Sequence, residues 1–212
     1  MSYPAYTRAE RIADAVVHII GLSAAIAGIT SLFAALAFTM DGLTLAATIL
    51  YCGALVLMLT ASAAYHMAAH TSARAILRRL DHAAIYVKIA GTFTPLAVVL
   101  GTAFGYVVVA LVWICAVVGA STKLMTAPGK MTTGWLPYVA LGWAGLALLV
   151  PLASVLPGPS LAMIVTGGLL YTAGVVFYCW ESLRFANAIW HGFIVVASGC
   201  FFIGISAALA QG

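Results

Sequence analysis

Charge is what this sequence has least of, since 7% of its 212 residues are Asp, Glu, Lys or Arg and only five residues are acidic. Ordinary soluble domains carry roughly 25% charged residues. With 65% hydrophobic residues and a mean hydropathy of +1.14, a water-soluble fold is excluded. Polar linkers, low-complexity tracts and CxxC spacings are also missing, which argues against separate modules and against a thiol metal or redox motif. Cys52, Cys115, Cys179 and Cys200 lie in or beside apolar stretches and read as small packing residues. The residues from Met1 to Glu10 lack the basic, apolar, small-residue order of a cleavable signal, so this segment is expected to stay in the mature protein.

What is present is a succession of apolar stretches, each of about 20 residues, long enough to cross a hydrocarbon core of roughly 30 Å. They fall at roughly 13–38, 43–66, 81–99, 103–122, 135–156, 160–180 and 188–209. A span must satisfy its backbone internally and no barrel alternation is present, so the expectation is an all-α bundle of seven transmembrane helices forming one domain over residues 1–212. Met40-Asp41-Gly42, Thr126-Ala127-Pro128-Gly129-Lys130 and Pro157-Gly158-Pro159-Ser160 supply turn residues.

Basic residues give the orientation. Arg8 and Arg11 precede the first span, Arg74, Arg78 and Arg79 follow the second, Lys123 and Lys130 follow the fourth, and Arg184 follows the sixth. Such alternation predicts a cytoplasmic N-terminus, an outside C-terminus and a location in the plasma (inner) membrane. In this setting basic charge reports orientation before any anionic partner, and nucleic acid is not an expected ligand.

Placed by that orientation, Glu10, Asp14, His18, Ser62, His66, Asp81, His82, Asn187 and His191 all fall at cytoplasmic helix ends. Asp14/His18, Ser62/His66 and Asn187/His191 are each four apart, on one helix face. Ionisable groups inside a membrane face a bundle interior or wet cavity, where they bind ions, relay protons or do chemistry. The alternative is simple capping in the headgroup region. Two imidazoles and a carboxylate, His66, His191 and Asp81, suit zinc or a similar ion. His70 reads as a solvated loop residue. Lys88, seven residues beyond Asp81 on the same face, either snorkels or pairs with Asp81.

These residues resemble the hemolysin III branch of the progestin and adipoQ receptor superfamily. The resemblance rests on Glu10, Asp14 and His18, on Ser62-Ala63-Ala64-Tyr65-His66, on Arg78-Arg79-Leu80-Asp81-His82-Ala83-Ala84-Ile85-Tyr86, on Gly91-Thr92-Phe93-Thr94-Pro95, on Gly142-Trp143 and on Ile189-Trp190-His191. It implies seven helices with the N-terminus inside, a zinc site near the cytoplasmic surface and a lipid amide hydrolase activity. Carried over, His66 and His191 are zinc ligands, Asn187 occupies the position of a third ligand, and Ser62 and Asp81 stand beside the metal in catalytic roles. Two imidazoles remain where three are implied, because Asn187 replaces the first His of the terminal motif and Phe201 a further one. The shell would then be completed by Asn187, by Asp81 or Asp14, or by His18. Two functions follow: a zinc-dependent hydrolase of a lipid amide or ester, with membrane lipids as partners, or a non-enzymatic receptor-like or ion-coupled sensor. A pore-forming toxin fits poorly, without a secretion signal or a charged, water-lined stripe.

Overall fold

A computed structural model describes residues 6–68, 71–127, 134–180 and 182–211; His70 and the Pro128–Lys130 part of the expected turn after the fourth span lie outside them. Eight α-helices account for the described fold: α1 (Arg8–Leu36), α2 (Gly42–Met67), α3 (Arg74–Leu100), α4 (Ala103–Met125), α5 (Leu136–Trp143), α6 (Leu146–Leu152), α7 (Gly158–Cys179) and α8 (Ala186–Leu209). Six of them, all but α5 and α6, are long and apolar enough to cross a membrane. Their outward faces carry Ile19, Val107, Ile114, Val118, Leu169, Val176 and Ile203, all well exposed. Large apolar side chains in that number suit lipid, not water.

The helices differ in how deeply they sit. In the most apolar stretch of α3, 67% of residues are buried, against 11% in α1, so α3 is the central post and α1 a peripheral one. α3 packs on α2 and α4 and touches α5, α6 and α8; α7 pairs with α8, and α1 lies against α2 and α8. Tyr51, Ala90, Leu96, Ala116, Leu148 and Ile205 form the main core around that post. Gly101 ends α3 in the left-handed region at φ 64°, where a residue without Cβ is unstrained.

The region expected to be one fifth span is broken into α5 and α6. At the break the Gly145 N–H bonds the Gly142 carbonyl and the Leu148 N–H the Gly145 carbonyl, the three-residue spacing of a tightened turn. Glycine at 142 and 145 weakens the helix locally, and a Cβ on Gly145 would meet the Phe93 ring at 2.4 Å. The break thus lets α3 press an aromatic ring onto the connecting backbone. Hydropathy along the chain does not register such a packing demand.

Candidate metal centre

The first turn of α1 is fixed by its own residues. Thr7 caps it and receives the Glu10 N–H, while a Glu10 carboxylate oxygen accepts both the Thr7 N–H at 2.8 Å and its hydroxyl at 2.7 Å. The other Glu10 oxygen accepts the N–H of Phe185 at 3.2 Å. Phe185 is the N-cap of α8 and is held at φ 63°. Glu10 therefore ties the start of α1 to the start of α8.

One turn deeper, Asp14 does the same with side chains. Its Oδ1 is 2.5 Å from His191 Nδ1 and its Oδ2 is 3.3 Å from His66 Nδ1, so one carboxylate from α1 stands between imidazoles from α8 and α2. Asp14 and His191 are buried and His66 is half-buried. His18, a further turn down, directs Nδ1 at the Asp14 backbone carbonyl at 2.8 Å. A carbonyl only accepts, so this nitrogen carries the hydrogen, and Nε2 then accepts the Ser62 hydroxyl at 3.2 Å. The His18 and His66 rings each lie 4.4 Å from that of His191. Asp81, buried at the same level, is 3.4 Å from His82 Nδ1 and close enough to interact electrostatically with His66 and His191.

This donor set fits a metal ion. One oxygen of Asp14 and one ring nitrogen each of His66 and His191 all lie within 4.8 Å of one another. Tetrahedral coordination with bonds of about 2.0–2.1 Å calls for donors roughly 3.3 Å apart, a rearrangement of side chains already in contact, in which the imidazole of His191 would exchange its hydrogen bond to Asp14 for the ion. Two imidazoles and a carboxylate, with a further position open, form a known catalytic donor set.

His66 and His191 are brought together, Ser62 and Asp81 stand beside them, and Asn187 lines an adjoining pocket that Asp14 and His66 also line. The carboxylate placed between the imidazoles is Asp14, one of the completing groups open from the sequence. Its signal was the Asp14/His18 spacing on a helix that is otherwise lipid-facing. Lys88 does not pair with Asp81 among the described residues. Its ammonium rests 4.1 Å from the centre of the Tyr171 ring and 5.1 Å from that of Phe201, aromatic faces supplied by α7 and α8. The four cysteines are free, and only Cys52 is buried.

Comparison with known proteins now gives these residues a context. The pattern of the family described as "Haemolysin-III related" matches residues 7–202. The chain is 31% identical over 199 residues to "Hemolysin-3 homolog" of Bacillus subtilis (strain 168), covering 93% of each protein. It is also 31% identical over 204 residues to "Hemolysin-3" of Bacillus cereus, covering 91% of this chain and 89% of that one. With its apolar helices and the Asp14–His66–His191 group at one end of the bundle, the chain belongs to the haemolysin-III related family of integral membrane proteins.

Proposed function

We propose that this protein is a zinc-dependent hydrolase of a lipid amide or ester, working at the cytoplasmic face of the plasma membrane. The observation that carries the reading is the Asp14 carboxylate standing between His66 and His191, from three different helices. His66, His191 and Asp14 would hold the ion, with Asn187 beside them. A zinc ion there supplies Lewis acidity toward a carbonyl group and toward water.

The chain's own residues then have distinct tasks. Asp81 takes a proton from the attacking water at a carboxylate oxygen, with the ring of its neighbour His82 3.4 Å from that carboxylate. Ser62 donates to His18 and so fixes that ring beside His191, while the His18 Nδ1–H stays on the Asp14 carbonyl. The pocket at the starts of α1 and α8, bordered by Ile12 and Met67, admits substrate from the lipid side.

The orientation belongs to the same reading. Arg8, Arg11, Arg74, Arg78, Arg79, Lys123 and Arg184 all lie at the end of the helices that carries the cluster, which favours a cytoplasmic location for it. α4 finishes at that end and α7 starts at the opposite one, so α5 and α6 carry the chain across as a seventh, broken crossing. A reporter inserted near Leu77 is expected in the cytoplasm and one following α8 outside; both on one side would remove the seven-crossing topology.

The alternative is a receptor-like or ion-coupled sensor, favoured by Asn187 where the resembled motif has a third imidazole. Zinc content and fatty-acid release separate the two. The hydrolase reading expects one zinc per chain, lost in His66→Ala and in His191→Ala, and release of fatty acid from lipid amides. Bound zinc without turnover across a panel of amides and esters favours the sensor. Zinc unchanged in both variants would place the metal elsewhere.

A further inference from the structure

Among the six long helices α1 is seated most shallowly. Its most apolar stretch is 11% buried, half the 22% of α4 and α7, which come next. Its buried residues are Asp14, His18, Gly21 and Leu32. Leu32 belongs to the main core, with Ile29, Phe33 and Leu36 packed against it, so apolar contacts hold the far end of α1. The half that carries the cluster is different. Ile12, Val16, Ile19 and Ile20 are exposed there, and what α1 turns inward is Asp14, His18 and a glycine. A Cβ on Gly21 would meet Val195 Cγ2 of α8 at 2.5 Å, so the helices come close without a large apolar side chain from α1. In lipid an apolar side chain gains little by moving from lipid to protein, and helices are joined by close packing and polar bonds, each of modest worth because separated helices find other partners. Coordination is stronger: an ion held by residues of three helices makes its own binding depend on their arrangement.

We propose that the half of α1 carrying Asp14 is a clasp that the metal ion closes. His66 of α2 and His191 of α8 supply the fixed part of the site, and Asp14 is the donor on the helix that moves. The closed position is the one described, with Asp14 against both imidazoles and Glu10 on the Phe185 N–H. Loss of the ion lets this half of α1 swing away about its apolar anchorage at Leu32. Because α1 forms one wall of the pocket of about 290 Å³ that Asp14 and His66 line, ion occupancy then governs how widely that pocket opens. The clasp rests on the metal reading of the cluster and not on hydrolysis.

The test is a pair of spin-label distances, read by pulsed electron paramagnetic resonance on the full-length protein in phosphatidylcholine nanodiscs, with Cys52, Cys115, Cys179 and Cys200 replaced by alanine. Ile19→Cys with Val118→Cys reports the cluster-bearing half of α1 against α4, and Phe38→Cys with Phe104→Cys reports the far end; all four positions are exposed. With zinc bound, the first distance should be single and narrow. Removing zinc with EDTA should lengthen it by more than about 2 Å, the scale of a backbone rearrangement and not of a side-chain adjustment, and adding zinc back should restore it. The far-end distance should stay the same throughout. Asp14→Asn, similar in size but a weaker donor, should show the long distance even with zinc present, whereas Asp41→Asn should behave as the wild type. The EDTA arm uses the unsubstituted site, so it does not depend on whether the Asp14 variant folds. Equal lengthening of both pairs would mean that the whole bundle loosens and would overturn the clasp. Zinc retained at one per chain, with no change of distance on its removal, would overturn the clasp and leave the metal reading standing. No zinc retained by the wild type would remove both.

Discussion

The two ends of the helices differ in how far their polar side chains reach. At the basic end local bonds such as those of Thr7 with Glu10 and of His18 with the Asp14 carbonyl are joined by bonds between distant parts of the chain: Asp14 to His191, Asp14 to His66, His18 to Ser62, Glu10 to Phe185 and Arg79 to the Leu124 carbonyl. At the opposite end they bond within their own turn, as Thr39 does to Leu36, Asp41 to Leu43 and Thr44, Thr102 to Gly105 and Ser154 to Pro151. Ser160, which donates to the Gly204 carbonyl across α7 and α8, is an exception among the described residues. A polar group bonded within its own turn caps one helix. A polar group bonded across helices sets where they stand, and only the basic end gathers chemistry. Between the ends, Lys88 is held by aromatic faces instead of by a carboxylate.

The strongest way to break this contrast is Asp14→Ala. It leaves two imidazoles facing each other with no acid between them, and removing one member of a buried charged network costs about 3–5 kcal/mol. Thermal unfolding in detergent should show this as the largest drop of any single substitution discussed, together with loss of bound metal. A loss no greater than that of Asp41→Ala would show that the basic end is not held by its cross-helix network.

Gly204→Ala asks whether the opposite end depends on shape. A Cβ there would stand 2.8 Å from the Ser160 carbonyl oxygen and 2.9 Å from Ile164 Cγ1. Backbone cannot yield cheaply, so a loss of about 1–3 kcal/mol is expected in the same unfolding assay. Gly192→Ala, with nothing within 4 Å of its Cβ, is the matched control and should be neutral or slightly stabilising. Equal behaviour of the two would argue against close packing as what joins α7 to α8.

Much of the basic end was legible in the sequence, and the reasons are local. Pairs four residues apart mark a face, and arginines on alternate loops mark an end, so Ser62/His66 and Asp14/His18 could be assigned to one layer before any helix was placed. Which carboxylate would stand between His66 and His191 was not legible. Asp14 and Asp81 start helices at equal depth, and the choice depends on how α1, α2, α3 and α8 pack. Lys88 shows the same limit. Its i+7 relation to Asp81 suggested a partner on its own helix, whereas Tyr171 and Phe201 come from α7 and α8. The break between α5 and α6 answers to the Phe93 ring, more than 40 residues earlier in the chain.

Lys88→Met sharpens the contrast from the middle of the bundle. The ammonium gains roughly 1–2 kcal/mol from its aromatic faces but gives up its hydration in a place where Met packs well. The two effects nearly cancel, so the unfolding temperature should stay within the equivalent of about 1 kcal/mol or rise. A drop as large as that of Asp14→Ala would mean that the lysine belongs to a network like the one at the basic end.

The smallest effect is expected at Asp41, and it carries a pH signature. This carboxylate is exposed and lies in the turn before α2, where it accepts the N–H groups of Leu43 at 2.7 Å and Thr44 at 3.0 Å and the Thr44 hydroxyl at 2.7 Å. The Thr44 N–H and hydroxyl are the main cause, with Leu43, of a carboxyl held below its ordinary value. A group whose folded pKa is depressed contributes stability above its unfolded pKa, about 3.9, and loses it as pH falls through the folded one. Asn is an equally good N-cap that does not titrate. The difference in unfolding temperature between wild type and Asp41→Asn should therefore be constant above about pH 5 and shift in favour of Asn only below about pH 4. Because the group binds nothing beyond its own first turn, neither substitution should alter metal content at the far end of the helices. A change in bound metal on Asp41→Ala would mean that the opposite end sets the position of α1 and α2, and that the two ends are not independent.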